Sequence, residues 1–245
     1  MTEARWTTRL SRLALGLAVV AIAVAIVGVM LARYDLIPKI AGFSALLGGG
    51  VLALAAVVAG VTGVILNWQF PTASRKAAIV ALLLALPYAG FLASRPMAAG
   101  DAPAIHDITT DLAEPPAFER LALRPDNLTG VGTIENWRAI HVRAYGDLKS
   151  VTIARPAATV LADAERIARE NGWDIARVDP AAGRLEATAA VSMIRFKDDV
   201  VVRVRPARDG NASIVDMRSV SRIGVGDLGV NARRIREFLN ALAAT

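Results

Sequence analysis

Residues 13–32, LALGLAVVAIAVAIVGVMLA, contain no charged side chain. The same holds for residues 40–67, IAGFSALLGGGVLALAAVVAGVTGVILN, and for residues 77–94, AAIVALLLALPYAGFLAS. Counted from their end points, the runs are 20, 28 and 18 residues long. A helix rises 1.5 Å per residue, so roughly 20 apolar residues reach across a hydrocarbon core. All three runs qualify, the third narrowly, and a buried helix of a water-soluble domain rarely stays uncharged over such a length. The sequence predicts an all-α anchor of three membrane-crossing helices in residues 1–96, a short linker in residues 97–104, and a soluble α+β domain in residues 105–245.

The charge distribution supports that division. The 245-residue chain carries a net charge of +6. Before Asp101 the cations are Arg5, Arg9, Arg12, Arg33, Lys39, Arg75, Lys76 and Arg95 and the acids are Glu3 and Asp35, so eight against two account for the whole excess. The 20 cations and 20 acids that remain of the 28 and 22 cancel. The basic character therefore belongs to the flanks of the apolar runs, where cations set topology, and a nucleic-acid partner is not expected.

With Arg5, Arg9, Arg12, Arg75 and Lys76 on one side and Arg33, Lys39 and Arg95 on the other, the bias is five to three. It predicts a cytoplasmic N-terminus and, after three crossings, a domain outside the cytoplasm. The first run has a basic start like a signal peptide but is longer than a typical apolar h-region, which reads as an uncleaved anchor. Arginine outnumbers lysine 24 to 4 and alanine is abundant, a composition associated with GC-rich bacterial genomes, so the expected place is a bacterial inner membrane. The chain has no cysteine, which excludes disulfides and thiolate chemistry. In the second run, Gly48, Gly49, Gly50, Ala56, Gly60 and Gly63 let helices approach closely, and packing within the anchor is favoured over an oligomer interface or a substrate path.

Residues 101–150 show little rhythm of either kind, and an irregular segment of this length is expected to wrap over the remainder of the domain. From Pro156 the pattern is clear. Ala157, Val160, Leu161, Ala164, Ile167 and Ala168 make a 3.6-residue stripe, with Pro156 at its first turn and Asn171-Gly172 at its end. Four strand-like runs come next, residues 173–178, 184–193, 199–205 and 212–220, separated by turns at Asp179-Pro180 and Asp209-Gly210 and by the charged Phe196-Lys197-Asp198 stretch. Their short connections imply antiparallel pairing. A last helix is expected over residues 227–242, with Ile235, Phe238, Leu239 and Leu242 on one side. The expectation is a two-layer sandwich of a helix, a four-stranded antiparallel sheet and a helix.

Alternation divides the sheet into two faces. Leu185, Ala187, Ala189, Val191, Val200, Val202, Val204, Val215 and Met217 should meet the helices. Arg184, Glu186, Arg203, Arg205, Asp216 and Arg218 lie opposite, as a solvated salt-bridged face or, alternatively, as an anionic-ligand site built on Arg203, Arg205 and Arg218.

Gly224-Val225-Gly226-Asp227-Leu228-Gly229 matches G-x-G-x-x-G between a strand and a helix. A dinucleotide fold needs a second parallel strand after that helix, which the remaining residues do not supply. A glycine-rich turn capped by Asp227 or Asn231 is favoured, with free amides near Arg218 and Arg222 as the anion-binding alternative. His106 and His141 are the only histidines. His106, Asp107 and Asp111 are the candidate catalytic residues, a base with carboxylates, but their spacing matches no metal signature, so no metal and no cofactor are expected. Asp198-Asp199 reads as a solvated strand entrance.

The ordered segments His106-Asp107-Ile108-Thr109-Thr110-Asp111, Pro115-Pro116-Ala117-Phe118, Gly183-Arg184-Leu185-Glu186-Ala187, Phe196-Lys197-Asp198-Asp199, and Asp216-Met217-Arg218-Ser219-Val220-Ser221-Arg222-Ile223-Gly224, continuing through Asp227-Leu228-Gly229-Val230-Asn231 to Arg234-Ile235, resemble the family called domain of unknown function 1499. The resemblance spans about residues 105–242 and leaves the helical runs outside it. It implies a bacterial or plastid envelope setting and brings no reaction, cofactor or catalytic residue with it.

These readings favour a membrane-anchored extracytoplasmic binding or scaffolding protein over an enzyme. Its expected partners are the lipid bilayer and an envelope protein or anionic ligand. Two alternatives stand beside it. One is an envelope-acting hydrolase using His106, Asp107 and Asp111; the other is an anion or lipid head-group binder using Arg203, Arg205, Arg218, Arg222, Gly224 and Gly226.

Overall fold

A computed structural model describes residues 2–208 and 210–245; within the third helix the side chains of residues 96–99 lie outside the description. The chain divides into two compact units, one helical and one of mixed helix and sheet. The helical unit consists of α1 (Thr2–Arg33), α2 (Lys39–Gln69) and α3 (Arg75–Ala99). Helix α3 thus runs into the stretch read as a linker, part of which is undescribed.

The packing of α1 on α2 arises from a strict repeat of small residues. On α1, Thr7, Ser11, Ala14, Ala18, Ala21, Ala25, Gly28 and Ala32 are buried, at alternating spacings of four and three. On α2 the buried Gly49, Ala53, Ala56, Gly60, Gly63 and Asn67 keep the same rhythm. A 3.5-residue repeat holds one seam against a partner helix, and small side chains bring the backbones together. A Cβ on Gly42 would lie 2.3 Å from that of Ala32, and one on Gly49 would lie 2.6 Å from the Ala21 carbonyl oxygen. The glycines read as packing residues serve as packing residues, except that Gly48 faces open space.

The large apolar side chains of this unit point outward: Val51 is 67% exposed, Val58 68% and Leu83 68%. In water such a surface would be unstable, because each square ångström of exposed apolar area costs about 25 cal/mol. All three helices are long and apolar enough to cross a membrane, with mean hydropathies of 2.9, 2.3 and 2.1 over their most apolar windows.

The second unit contains β1 (Asp107–Thr109), α4 (Ile134–Tyr145), β2 (Val151–Ile153), α5 (Ala157–Glu170), β3 (Asp174–Asp179), β4 (Arg184–Val191), β5 (Phe196–Pro206), β6 (Ser213–Ser221) and α6 (Val230–Ala243). The sheet is six-stranded, not four-stranded as the sequence suggested. Its order is β1-β6-β5-β4-β3, with β2 also on β6, and every pairing is antiparallel. The four long strands were legible. Strands β1 and β2 are three residues each, too short to show alternation, and exist because β6 offers them an edge. Helix α4 also lies in the segment read as irregular. Its stripe of Trp137, His141 and Tyr145 is aromatic and polar rather than aliphatic, and Thr133 caps it by accepting the Asn136 N–H. The expected Asp209-Gly210 turn lies partly outside the described residues.

The core forms as alternation required. Leu185, Ala189, Val200, Val202, Val204, Val215 and Met217 join Val160, Leu161, Ala164 and Ile167 of α5 and Ile235, Phe238, Leu239 and Leu242 of α6. The β3–β4 hairpin closes at Gly183, which has φ +61°, and whose Cβ would sit 2.1 Å from the Val204 carbonyl oxygen. Its own carbonyl accepts the Val204 N–H at 2.7 Å. Gly183→Ala therefore requires both a left-handed alanine and a displaced strand. The expected loss is about 2–4 kcal/mol, measured as earlier thermal unfolding of the full chain in detergent.

Candidate functional site

The outer face of the sheet is largely covered, although the Arg205 side chain stays 42% exposed. Glu186 and Asp216 are fully buried. The cause is the segment from Asp111 to Arg124, which crosses this face and is tied down along its length. Glu186 holds its middle. One carboxylate oxygen accepts the N–H groups of Glu119 at 2.8 Å and Arg120 at 3.2 Å, and the other accepts Arg120 at 3.0 Å and Leu121 at 2.8 Å. Three successive backbone amides form a cradle for an anion, and a side chain of the same domain fills it. Arg203 donates to the Glu114 carbonyl at 3.1 Å, Arg218 to that of Pro116 at 3.3 Å and Arg184 to that of Ala117 at 3.2 Å. Arg124 fastens the far end by donating to the carbonyl of Gly224 at 2.7 Å.

The candidate residues fall into two groups on this face. Asp107, 2% exposed, receives Arg218 in a two-pronged ion pair, with Nε at 2.9 Å and a terminal nitrogen at 2.6 Å. Asn127 donates to the same carboxylate at 2.6 Å. This orients the Asn127 carbonyl toward His106 Nε2 at 3.1 Å, while His106 Nδ1 lies 3.3 Å from the Val225 carbonyl. His106 is itself buried, so both ring nitrogens face oxygens of the domain. Asp111 belongs to the second group: it accepts from Arg203 at 2.9 Å, and its other oxygen accepts the N–H groups of Ala113 and Glu114. Arg203 and Arg205 also donate to Asp216, at 3.0 Å and 2.7 Å.

Asp198 and Asp199 are buried rather than solvated, the former paired with Arg234 at 2.7 Å and the latter with Arg222 at 2.7 Å. Strand β5 places them beside β6, where Asp198 faces Ser221 in register, so helix α6 and the chain after β6 deliver the cations. Arg203, Arg205, Arg218 and Arg222 thus each face a carboxylate of the same domain. In the glycine-rich turn, Asp227 accepts the N–H of Gly229 at 2.9 Å and of Asn231 at 2.6 Å, fixing the start of α6. Burial raises its pKa above the ordinary carboxylate range. A Cβ at Gly226 would lie 3.0 Å from the Ala104 Cα, so the backbone is closely approached at that point, while Val225 and Leu228 of the same turn are exposed. Among the described residues no group of three histidines or acids is arranged to hold a metal ion.

Two features escaped the sequence. His141 is fully buried under β1, where its Nε2 accepts the Thr109 N–H at 3.1 Å. A periodic reading of α4 was needed to find it. The other is a groove of about 540 Å³ along α5 and α6, with Trp173 stacked on Phe238 in its lining, flanked by Arg166, Arg233 and Glu237. It arises only when two helices far apart in sequence are brought together.

Two measurements test this geometry. Arg218→Ala leaves the Asp107 carboxylate buried without its cation, and a loss of about 3–5 kcal/mol is expected in thermal unfolding of the full chain. For His141, burial is the main cause of a pKa below the usual 6.5, opposed chiefly by the charge of Asp107. A histidine with a depressed native pKa contributes stability above its unfolded pKa and loses it as the pH falls, because only the unfolded ring takes up the proton. Stability should fall below about pH 6.5 by up to about 1.4 kcal/mol per pH unit from this residue. His141→Gln, measured beside the wild type, should remove that component of the slope.

No curated protein matches the chain. The model of a family described as Protein of unknown function (DUF1499) matches residues 107–242, which takes in the strands and helices of the mixed unit, all but the last residue of α6, and leaves α1, α2 and α3 outside. The chain belongs to the DUF1499 family, with three additional apolar helices ahead of the family domain.

Proposed function

We propose that this protein is a membrane-anchored binding or scaffolding protein, with α1, α2 and α3 in a bacterial inner membrane and the DUF1499 domain displayed in the periplasm for an envelope partner. The observation that carries the anchor is the inverted packing of the helical unit, with small residues inside and Val, Leu and Ile outside. That pattern suits lipid, where close backbone packing rather than water exclusion joins helices. The five-to-three excess of cations at the ends of α1, α2 and α3 supports an extracytoplasmic domain.

Binding is favoured over catalysis by what the polar residues already do. A general base needs a lone pair aimed at a substrate proton. His106 is buried with both nitrogens against internal oxygens, and Asp107 and Asp111 are engaged by guanidinium and amide donors. The groove along α5 and α6, with an aromatic stack and flanking charges of both signs, suits a segment of a protein partner better than a bare anion.

Two experiments test the proposal. The full chain should sediment with membranes, resist carbonate extraction and need detergent for release. A periplasm-active reporter fused after Thr245 should be active and a cytoplasm-active one silent; the reverse result rejects the proposed side. Turnover of an envelope substrate by the purified chain, lost on Asp111→Asn in a variant that still folds, would replace the binding reading with the hydrolase.

A further inference from the structure

Helix α1 begins, α2 ends and α3 begins at the same end of the helical unit, as three consecutive antiparallel helices require. Five cations collect there, Arg5, Arg9, Arg12, Arg75 and Lys76, against the single acid Glu3. All five are exposed, and none is in an ion pair among the described residues. The contrast with the DUF1499 domain is direct, since there the candidate arginines each face a carboxylate.

Two of the five cations line a recess. Arg5 and Arg9, with Ala4 and Thr8 of α1 and Thr72 of the α2–α3 connection, border a shallow, open groove of about 490 Å³. Its Thr72 wall is built, not incidental. The buried Asn67 donates to Ser11 Oγ at 3.2 Å and to the Gly63 carbonyl at 2.7 Å. Its own carbonyl oxygen accepts the Thr72 N–H at 3.2 Å and the Thr72 hydroxyl at 2.8 Å. One amide side chain thus ties the α2–α3 connection to α1 and fixes Thr72 at the edge of the recess.

The same end carries an independent marker of depth. Trp6 on α1 is 59% exposed and Trp68 on α2 is 67% exposed, and Arg9 lies over the Trp6 ring at 5.5 Å from its centroid. Exposed tryptophans at helix ends sit at head-group level, where a lipid phosphate lies and where the apolar flank of a helix meets the acyl chains.

We infer that the recess at Arg5, Arg9 and Thr72 binds the phosphodiester head group of an anionic phospholipid. Two guanidinium groups neutralise and hydrogen-bond the phosphate, Thr8 and Thr72 border it, and the outward Val and Leu side chains of α1 and α2 take the acyl chains. The inference rests on the proposed membrane insertion, whose own test is carbonate and detergent extraction.

The full chain, purified in neutral detergent, is to be titrated with phosphatidylglycerol, phosphatidylcholine and soluble glycerol phosphate, with retention read by native mass spectrometry. Phosphatidylglycerol should be retained over phosphatidylcholine by about tenfold or more. Arg5→Gln with Arg9→Gln should abolish that preference, whereas Arg75→Gln with Lys76→Gln, outside the recess, should keep it. Should the double variant at Arg5 and Arg9 fail to fold, each single variant is read in its place, with a partial loss expected. Equal retention of the two lipids, or a preference that survives loss of Arg5 and Arg9, overturns the site. Equal loss in both pairs of variants shows a diffuse basic surface and overturns it also. Glycerol phosphate binding as well as phosphatidylglycerol makes the ligand a soluble phosphate and overturns the lipid. A chain that needs detergent yet shows no preference sinks this inference alone, whereas a chain that leaves the membrane in carbonate sinks the insertion beneath it.

Discussion

The Glu186 carboxylate, fully buried and accepting three successive backbone amides, is the interaction on which the domain's outer face depends. A buried carboxylate without partners would be too costly to keep, so its presence on the sheet requires a chain segment to bring donors to it. Residues 119–121 are that segment. Once they are held, the neighbouring Arg184, Arg203 and Arg218 reach carbonyls of the same crossing and carboxylates of the sheet in one arrangement. The face is therefore a second interior, built from ion pairs and amides where the first is built from Val, Leu and Ile.

The two units handle buried polar groups by different means. The DUF1499 domain brings carboxylates and guanidinium groups inside and pairs them, although His141 Nδ1, the Tyr145 hydroxyl and Nε of Arg138, Arg184 and Arg205 are buried without a hydrogen bond. The helical unit buries few: Ser11 and Asn67 are hydrogen-bonded at one end of the seam, and Lys39 at the other donates to the Ala32 carbonyl at 2.6 Å and pairs with Asp35. Its cations that are in no ion pair among the described residues lie toward the helix ends, the place favoured for cations in helices that cross a membrane. The candidate arginines of the sheet are thus neutralised by carboxylates of their own domain, whereas Arg5, Arg9, Arg12, Arg75 and Lys76 at one end of the helical unit are exposed and in no ion pair among the described residues.

Much of this was legible in the sequence. Runs without charge and strict alternation are local patterns, so the three helices, the four long strands and both faces of the sheet could be read from residues such as Leu185, Val202 and Met217. The environment of the polar residues was not legible. Glu186, Asp198 and Asp199 look solvated in sequence because acids usually are. Their burial depends on partners from 23 to 67 positions away, Arg222 and Arg234 after β6 and the amides of residues 119–121 before α4. Strands β1 and β2 were hidden for a similar reason, since three residues carry no period and their pairing is decided by β6. His141 was visible only as a histidine, because nothing local says that the Thr109 amide lies against its ring.

Hydrogen exchange of the Glu119, Arg120 and Leu121 amides in the full chain tests the closed outer face most directly. These amides should exchange on the time scale of the β5 and β6 ladder, and Glu186→Ala should release them to the rate of an open loop while the ladder stays protected. Exchange at the open-loop rate in the wild type would contradict the account, leaving the carboxylate cradle without a role in holding the face shut.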